Sequence, residues 1–207
     1  VKRRRLDSRS RALVRQIAAW CLHYPDAELA PRMDLLRESL AELAGRDPAA
    51  HLSGTLDHLA RTPAQQAEQH YVEVFDVSPR RSLYLTWYVH GDTRLRGGAL
   101  AELAGIYRAH GYRIAGGELP DYLPALLEFS AAAATRREGE RLLGRFRPAI
   151  EVLHRRLAEI GTPYAAAVRA VLDAVPNQRE RAAVPAQAPT EQVGLQPYPR
   201  TVQESTR

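Results

Sequence analysis

Apolar residues in this chain recur at intervals of three and four over most of its length, and no segment offers a β-strand a partner. The clearest run is Leu143, Phe146, Ile150, Leu153, Leu157 and Ile160, stopped by Gly161. Residues three and four apart share one face of an α-helix, so such a run predicts a buried helical seam. Leu13, Ile17, Trp20 and Tyr24 form a similar stripe ended by Pro25. Met33, Leu36, Leu40 and Leu43 form the next, stopped by Gly45, and Leu52, Leu56 and Leu59 follow Asp47-Pro48. Thr62-Pro63-Ala64-Gln65 reads as a capping box opening a helix that carries Tyr71 and Phe75. Leu100, Leu103 and Tyr107 run on to Gly111, and Tyr164, Val168, Val171 and Val175 follow Thr162-Pro163. The segment LYLTWYV, residues 83–89, has strand-like composition but nothing to pair with, and reads as helix or extended connector. The expectation is an all-α, single-domain bundle of about seven to eight helices over residues 1–175, with 1–9 a basic flexible arm. Residues 176–207 lose the apolar rhythm and carry Pro176, Pro185, Pro189, Pro197 and Pro199, which predicts a disordered tail.

Residue types exclude several chemistries. Lys2 is the only lysine, so no phosphate-cradling P-loop exists. Cys21 has no partner, which excludes an internal disulfide and a thiolate-rich metal site; a buried, inert thiol in a reducing compartment is expected. His51 and His58 are seven apart, about 10 Å on a helix, too far to ligate one ion directly. With no catalytic nucleophile or metal cage evident, a hydrolase is disfavoured, and the chain reads as a binding protein without turnover. Near the N-terminus, Asp7, Arg9, Arg11 and Arg15 interrupt any export signal, and no apolar run is long enough to span a bilayer. A soluble, cytoplasmic protein without membrane insertion is expected. The net charge of +5 raises a nucleic-acid partner, with an all-helical DNA-binding transcription regulator as the alternative reading. The arginines are mostly spaced among acids as on a solvated helix face, and no glycine precedes Gly45 to make an N-terminal helix-turn-helix, so stable nucleic-acid binding is not expected.

Two places concentrate unusual residues. In GGELPDYLPALLEF, residues 116–129, Asp121 reads as the N-cap of a helix whose third position is Pro124, and Pro120 stiffens the approach. Capping needs one carboxylate, so Glu118 is surplus. Fixed acids beside an apolar groove suit a basic, amphipathic peptide. The second place gathers His90, Gly91, Asp92, Arg94, Arg96 and Gly97 within eight residues. Gly91 permits a positive φ and Asp92 is a candidate cap, so a capped loop with two solvated arginines is the plain structural reading.

In register with these segments stand CLHYPD, HYVEVFD, HGDTRLRG, the Tyr107 to Gly111 stretch, and ELPDYLPALLEF. Together they resemble the TorD/DmsD/NarJ family of molybdoenzyme assembly chaperones, specifically its NarJ branch, from about Ile17 through Tyr164. The resemblance implies a TorD-like helical chaperone that binds the apo catalytic subunit of respiratory nitrate reductase through its N-terminal segment. Such a protein supports molybdenum cofactor insertion and complex assembly and is absent from the finished enzyme. It implies a client site of Tyr71, Phe75, Asp76, Glu118, Pro120, Asp121, Tyr122, Leu123 and Leu127. The client's apolar side would lie on Tyr71, Phe75, Leu123 and Leu127, with Glu118 and Asp121 engaging its basic residues. No permanent cofactor is implied, but Arg94 and Arg96 of the His90 to Gly97 loop would contact the phosphates of molybdopterin guanine dinucleotide transiently. Tyr122, Trp87 and Tyr88 depart from the histidine-bearing pattern of the nitrate branch.

Overall fold

A computed structural model describes residues 6–175, with 183–185 and 189 of the C-terminal segment. Nine α-helices occur among the described residues: α1 Ser8–Leu22, α2 Met33–Ala41, α3 Asp47–Arg61, α4 Ala64–Tyr71, α5 Leu85–His90, α6 Arg94–Ala109, α7 Leu123–Ala131, α8 Arg136–Glu159 and α9 Tyr164–Ala174. The fold is all-helical, as the periodicity predicts. The extra helix is α5, a six-residue turn within LYLTWYV. The tail prediction falls outside the described residues except at 183–185 and 189. Residues 1–5 of the basic arm also lie outside them, and α1 already begins at Ser8.

Local signals explain most boundaries. Asp7 caps α1 by accepting the Ser10 amide at 2.7 Å. Gly45, Gly111 and Gly161 follow helix ends with φ of 74°, 77° and 66°, angles that favour glycine. The predicted capping box does not form. Thr62 instead closes α3, donating its hydroxyl to the His58 carbonyl at 2.7 Å, and α4 starts at Ala64 with no side-chain cap.

The core is one continuous cluster. α1 packs on α7 and α9, α3 on α9, and α8 on both α7 and α9. The inward face of α1 is Val14, Ile17, Ala18, Cys21 and Leu22, whereas Leu13 and Trp20 are half-buried and Tyr24 is exposed. Small residues on that face let α7 and α9 approach closely, so the buried stripe is rotated from the one drawn through the largest side chains. The α8 seam is buried from Leu143 to Leu157 but Ile160 is exposed, because the helix has ended at Glu159. A Cβ on Gly139 would lie 2.9 Å from the Ser130 nitrogen, so glycine there sets the close approach of α8 to α7.

A cation is taken inside. Arg15 of α1 is fully buried and meets Glu140 of α8 at 2.8 Å, with Arg11 3.7 Å from the same carboxylate. Burial lowers the Arg15 pKa and the Glu140 bond opposes that shift.

Candidate functional site

The two segments singled out in the sequence meet. Residues 83–85 and 121–123 run antiparallel for one bridge, Tyr84 to Tyr122. The Leu85 amide donates to the Asp121 carbonyl at 3.1 Å and the Leu123 amide to the Leu83 carbonyl at 2.9 Å. Gly116 and Gly117, with φ of 69° and 77°, turn the chain out of α6 and into this bridge.

The bridge decides where the acids point. Asp121 is fully buried, and its carboxylate accepts the Thr86 amide at 2.9 Å and the Thr86 hydroxyl at 2.5 Å. It therefore caps α5 across the bridge. The residue preceding α7 is Tyr122, which makes no side-chain cap bond, and Pro124 is the second helical residue rather than the third. Burial raises the Asp121 pKa against the opposing Thr86 bonds and the Arg96 charge. Glu118 points the other way, into a half-exposed position where it accepts the Tyr84 hydroxyl at 2.6 Å.

The aromatic segment lies alongside. Val72–Asp76 forms a π-helical turn after α4, and Arg81 donates to the Val74 and Glu73 carbonyls at 2.8 and 3.1 Å. Tyr71 donates to the Leu22 carbonyl at 3.1 Å, which leaves the Tyr122 hydroxyl as donor across the 3.0 Å Tyr71–Tyr122 contact. Burial pushes the hydroxyl pKa values of both tyrosines up. Phe75 packs between Tyr71 and Tyr164 at 4.8 and 4.9 Å. Asp76 is exposed, and its carboxyl pKa is raised by partial desolvation and then by the Glu118 charge.

Beside Glu118 opens a cavity of about 250 Å³ whose walls include His23, Tyr112, Tyr122 and Phe129, with Glu118 and Glu128 as its two carboxylates. The pocket surroundings raise the Glu128 pKa and the nearby His23 lowers it. Tyr24, edge-on to Tyr71 at 5.3 Å, and Val72 add exposed apolar surface next to this region.

These positions redistribute the expected roles. Tyr71, Phe75, Leu123, Leu127 and Asp121 are buried and do not line the cavity, so a segment lying on the outside meets none of them first. Pro120 is half-buried and Tyr122 borders the cavity. Sequence reasoning missed Glu128 and His23 as cavity residues. His23 lies within the quoted CLHYPD segment, whereas Glu128 is a lone acid in an apolar stretch of α7 and is exposed at the cavity.

The His90 to Gly97 segment touches the same unit from another side, and it is not all loop as expected: Arg94, Arg96 and Gly97 lie in the first turn of α6. Gly91 takes a positive φ of 57°, as expected. Asp92 does not cap α6; its N-cap is Thr93, whose hydroxyl donates back to the His90 carbonyl at 2.9 Å. Arg96 donates to the Thr86 hydroxyl at 3.2 Å and lies over Trp87, tying the first turn of α6 to Asp121. Arg94 and Gly97 are exposed, and burial with the Arg145 charge lowers the His90 pKa. The departures Trp87 and Tyr88 are structural here: Tyr88 is buried and donates between the Ser82 and Arg80 carbonyls at 2.8 and 3.2 Å.

No group of three or more His, Cys, Asp or Glu among the described residues is placed to hold a metal ion. His51 faces Asp173 at 3.8 Å, while His58 contacts His70 at 3.2 Å. No helix among the described residues is long and apolar enough to cross a membrane.

Residues 29–170 match the family model described as nitrate reductase delta subunit. The chain belongs to that family. It is 31% identical over 159 residues to a probable nitrate reductase molybdenum cofactor assembly chaperone NarJ of Bacillus subtilis, covering 75% of this chain and 84% of that one. It is 35% identical over 117 residues to the NarJ chaperone of Escherichia coli K12, covering 56% of this chain and 50% of that one. A nitrate reductase-like protein NarX of Mycobacterium tuberculosis is 39% identical over 160 residues; 77% of this chain aligns, but only 24% of that protein. The chain thus spans about a quarter of that relative's length. A crystal structure described as a redox enzyme maturation protein of Archaeoglobus fulgidus shares the fold, with a TM-score of 0.56 at 18% identity over 78% of this chain and 91% of that one. Neither the family model nor these relatives point to the DNA-binding alternative.

Proposed function

We propose that this chain is a dedicated chaperone that binds the apo catalytic subunit of a respiratory nitrate reductase by its N-terminal segment. It holds that subunit ready for molybdenum cofactor insertion and does not remain in the finished complex. It acts in the cytoplasm and catalyses no reaction. The family and the named functions of the Bacillus and Escherichia relatives support the client; the cavity supports the mode of binding.

The observation that carries the mode is an aromatic-walled cavity bordered by Glu118 and Glu128. An amphipathic segment seats an apolar anchor against Tyr112, Tyr122 and Phe129 while its basic residues meet the acids. Micromolar affinity requires about 8 kcal/mol net, which a few buried anchors and one or two charge-assisted bonds supply. Asp121 acts from behind, fixing the bridge that presents Glu118.

Titration calorimetry with a peptide of the client's N-terminal segment tests this. Replacing Glu118 and Glu128 together by alanine weakens binding at least tenfold; unchanged affinity removes their role. Transient contact with molybdopterin guanine dinucleotide through the His90 to Gly97 loop belongs to the same reading. Arg96 also donates to Thr86 and lies over Trp87, so a phosphate would compete with those partners for it. Cofactor loading of the client that is unaffected by Arg94→Ala with Arg96→Ala ends that part.

A further inference from the structure

Gly91, at the turn from α5 into α6, is covered by a distant piece of the chain. A Cβ built on it would lie 2.8 Å from the nitrogen and 2.9 Å from the carbonyl carbon of Pro189, and nearer still to the Pro189 oxygen. The other comparably tight glycine, Gly139 against Ser130, joins helices adjacent in sequence. Here the approach spans nearly half the chain. Five residues before Pro189, Val184 is half-buried and packs against the hydrophobic core. The C-terminal segment therefore touches the helical body at two described points, one through a side chain and one through main chain.

The chemistry of the two contact residues is complementary. Glycine has no Cβ, so another main chain can lie directly on its Cα, and the φ of 57° independently favours glycine. Proline has no amide hydrogen, so its nitrogen can face a Cα without leaving a donor unsatisfied. Its fixed φ also lowers the entropy lost when the segment is ordered.

We propose that the face of Gly91 is a docking site for a proline-bearing main-chain segment, and that its occupant is this chain's own C-terminal segment at Pro189, anchored by Val184. Occupancy covers the Gly91 side of the His90 to Gly97 loop, so any partner that reaches that side must first displace the segment. This rests on the glycine contact and stands whether or not the chaperone reading holds.

Hydrogen exchange by mass spectrometry on the full chain tests it. In Val184→Asp and in Pro189→Asp, made separately, amides of His90 to Arg96 exchange at least fivefold faster than in the parent, while α8 amides keep their protection and show that the body is folded. Unchanged exchange at His90 to Arg96 in both folded variants overturns the proposal. Protection that disappears on dilution of the parent protein also overturns it, because the occupant is then a second copy's segment.

Discussion

The carboxylate of Asp121 caps α5 by binding the amide and hydroxyl of Thr86, 35 residues earlier in the chain. It joins the elbow ahead of α7 to the first turn of α6, since Thr86 also accepts from Arg96. Asp121→Ala leaves the buried Thr86 groups without an acceptor and costs about 2 to 3 kcal/mol, read from urea unfolding. Asp121→Asn keeps an acceptor and costs less. The folded pKa of Asp121 is raised above 3.8, so the folded state favours the protonated acid. Its contribution is full below pH 3.8 and is lost as pH rises through the folded pKa. The stability advantage of the parent over Asp121→Asn grows towards acid pH; a pH-independent difference contradicts the assignment.

Arg15 and Glu140 form the ion pair with its cation fully enclosed. Glu140→Ala strands that cation and costs about 3 to 5 kcal/mol, whereas Arg15→Met with Glu140→Leu recovers most of the loss. Thermal and denaturant unfolding of the two variants measures the contrast.

His58 and His70 touch at 3.2 Å, and His70 reaches the Thr162 hydroxyl at 3.2 Å, linking α3, α4 and the start of α9. Burial and then the His70 charge depress the His58 pKa below 6.5. Such a histidine contributes stability above pH 6.5 that is lost as pH falls through the lower folded value. His58→Gln flattens this part of the acid limb; an unchanged slope between pH 7 and pH 5 in denaturant titrations contradicts it.

Cys21 is wholly buried, and burial pushes its thiol up to about 12. Alkylation at pH 8 is slow in the native protein and becomes complete on unfolding. Fast native labelling contradicts the packing of α1.

Gly139 faces the Ser130 backbone. Gly139→Ala forces α7 and α8 apart and costs about 1 to 3 kcal/mol by overpacking, despite alanine's better helix propensity. A stabilised variant in thermal melts refutes the close contact.

The elbow shows where legibility stopped. Glu118 and Asp121, three residues apart, were expected to engage a client together; the structure turns Asp121 inward and leaves Glu118 at the cavity. The reason is the turn between them, closed by the Tyr122 amide on the Leu119 carbonyl at 3.0 Å, together with the bridge of Tyr84 with Tyr122, whose register depends on a segment far away in sequence. The His58–His70 contact was hidden likewise, because it crosses the break between α3 and α4.

The sequence by itself determined the all-helical class, most helix ends at proline and glycine and the burial of Cys21, since those follow from periodicity and backbone angles within a turn or two. Only the tertiary structure decided which face of α1 is buried, that Asp121 serves Thr86, and that His23, Glu118 and Glu128 share one cavity. Those outcomes depend on which distant surfaces meet, and local propensity carries no information about that.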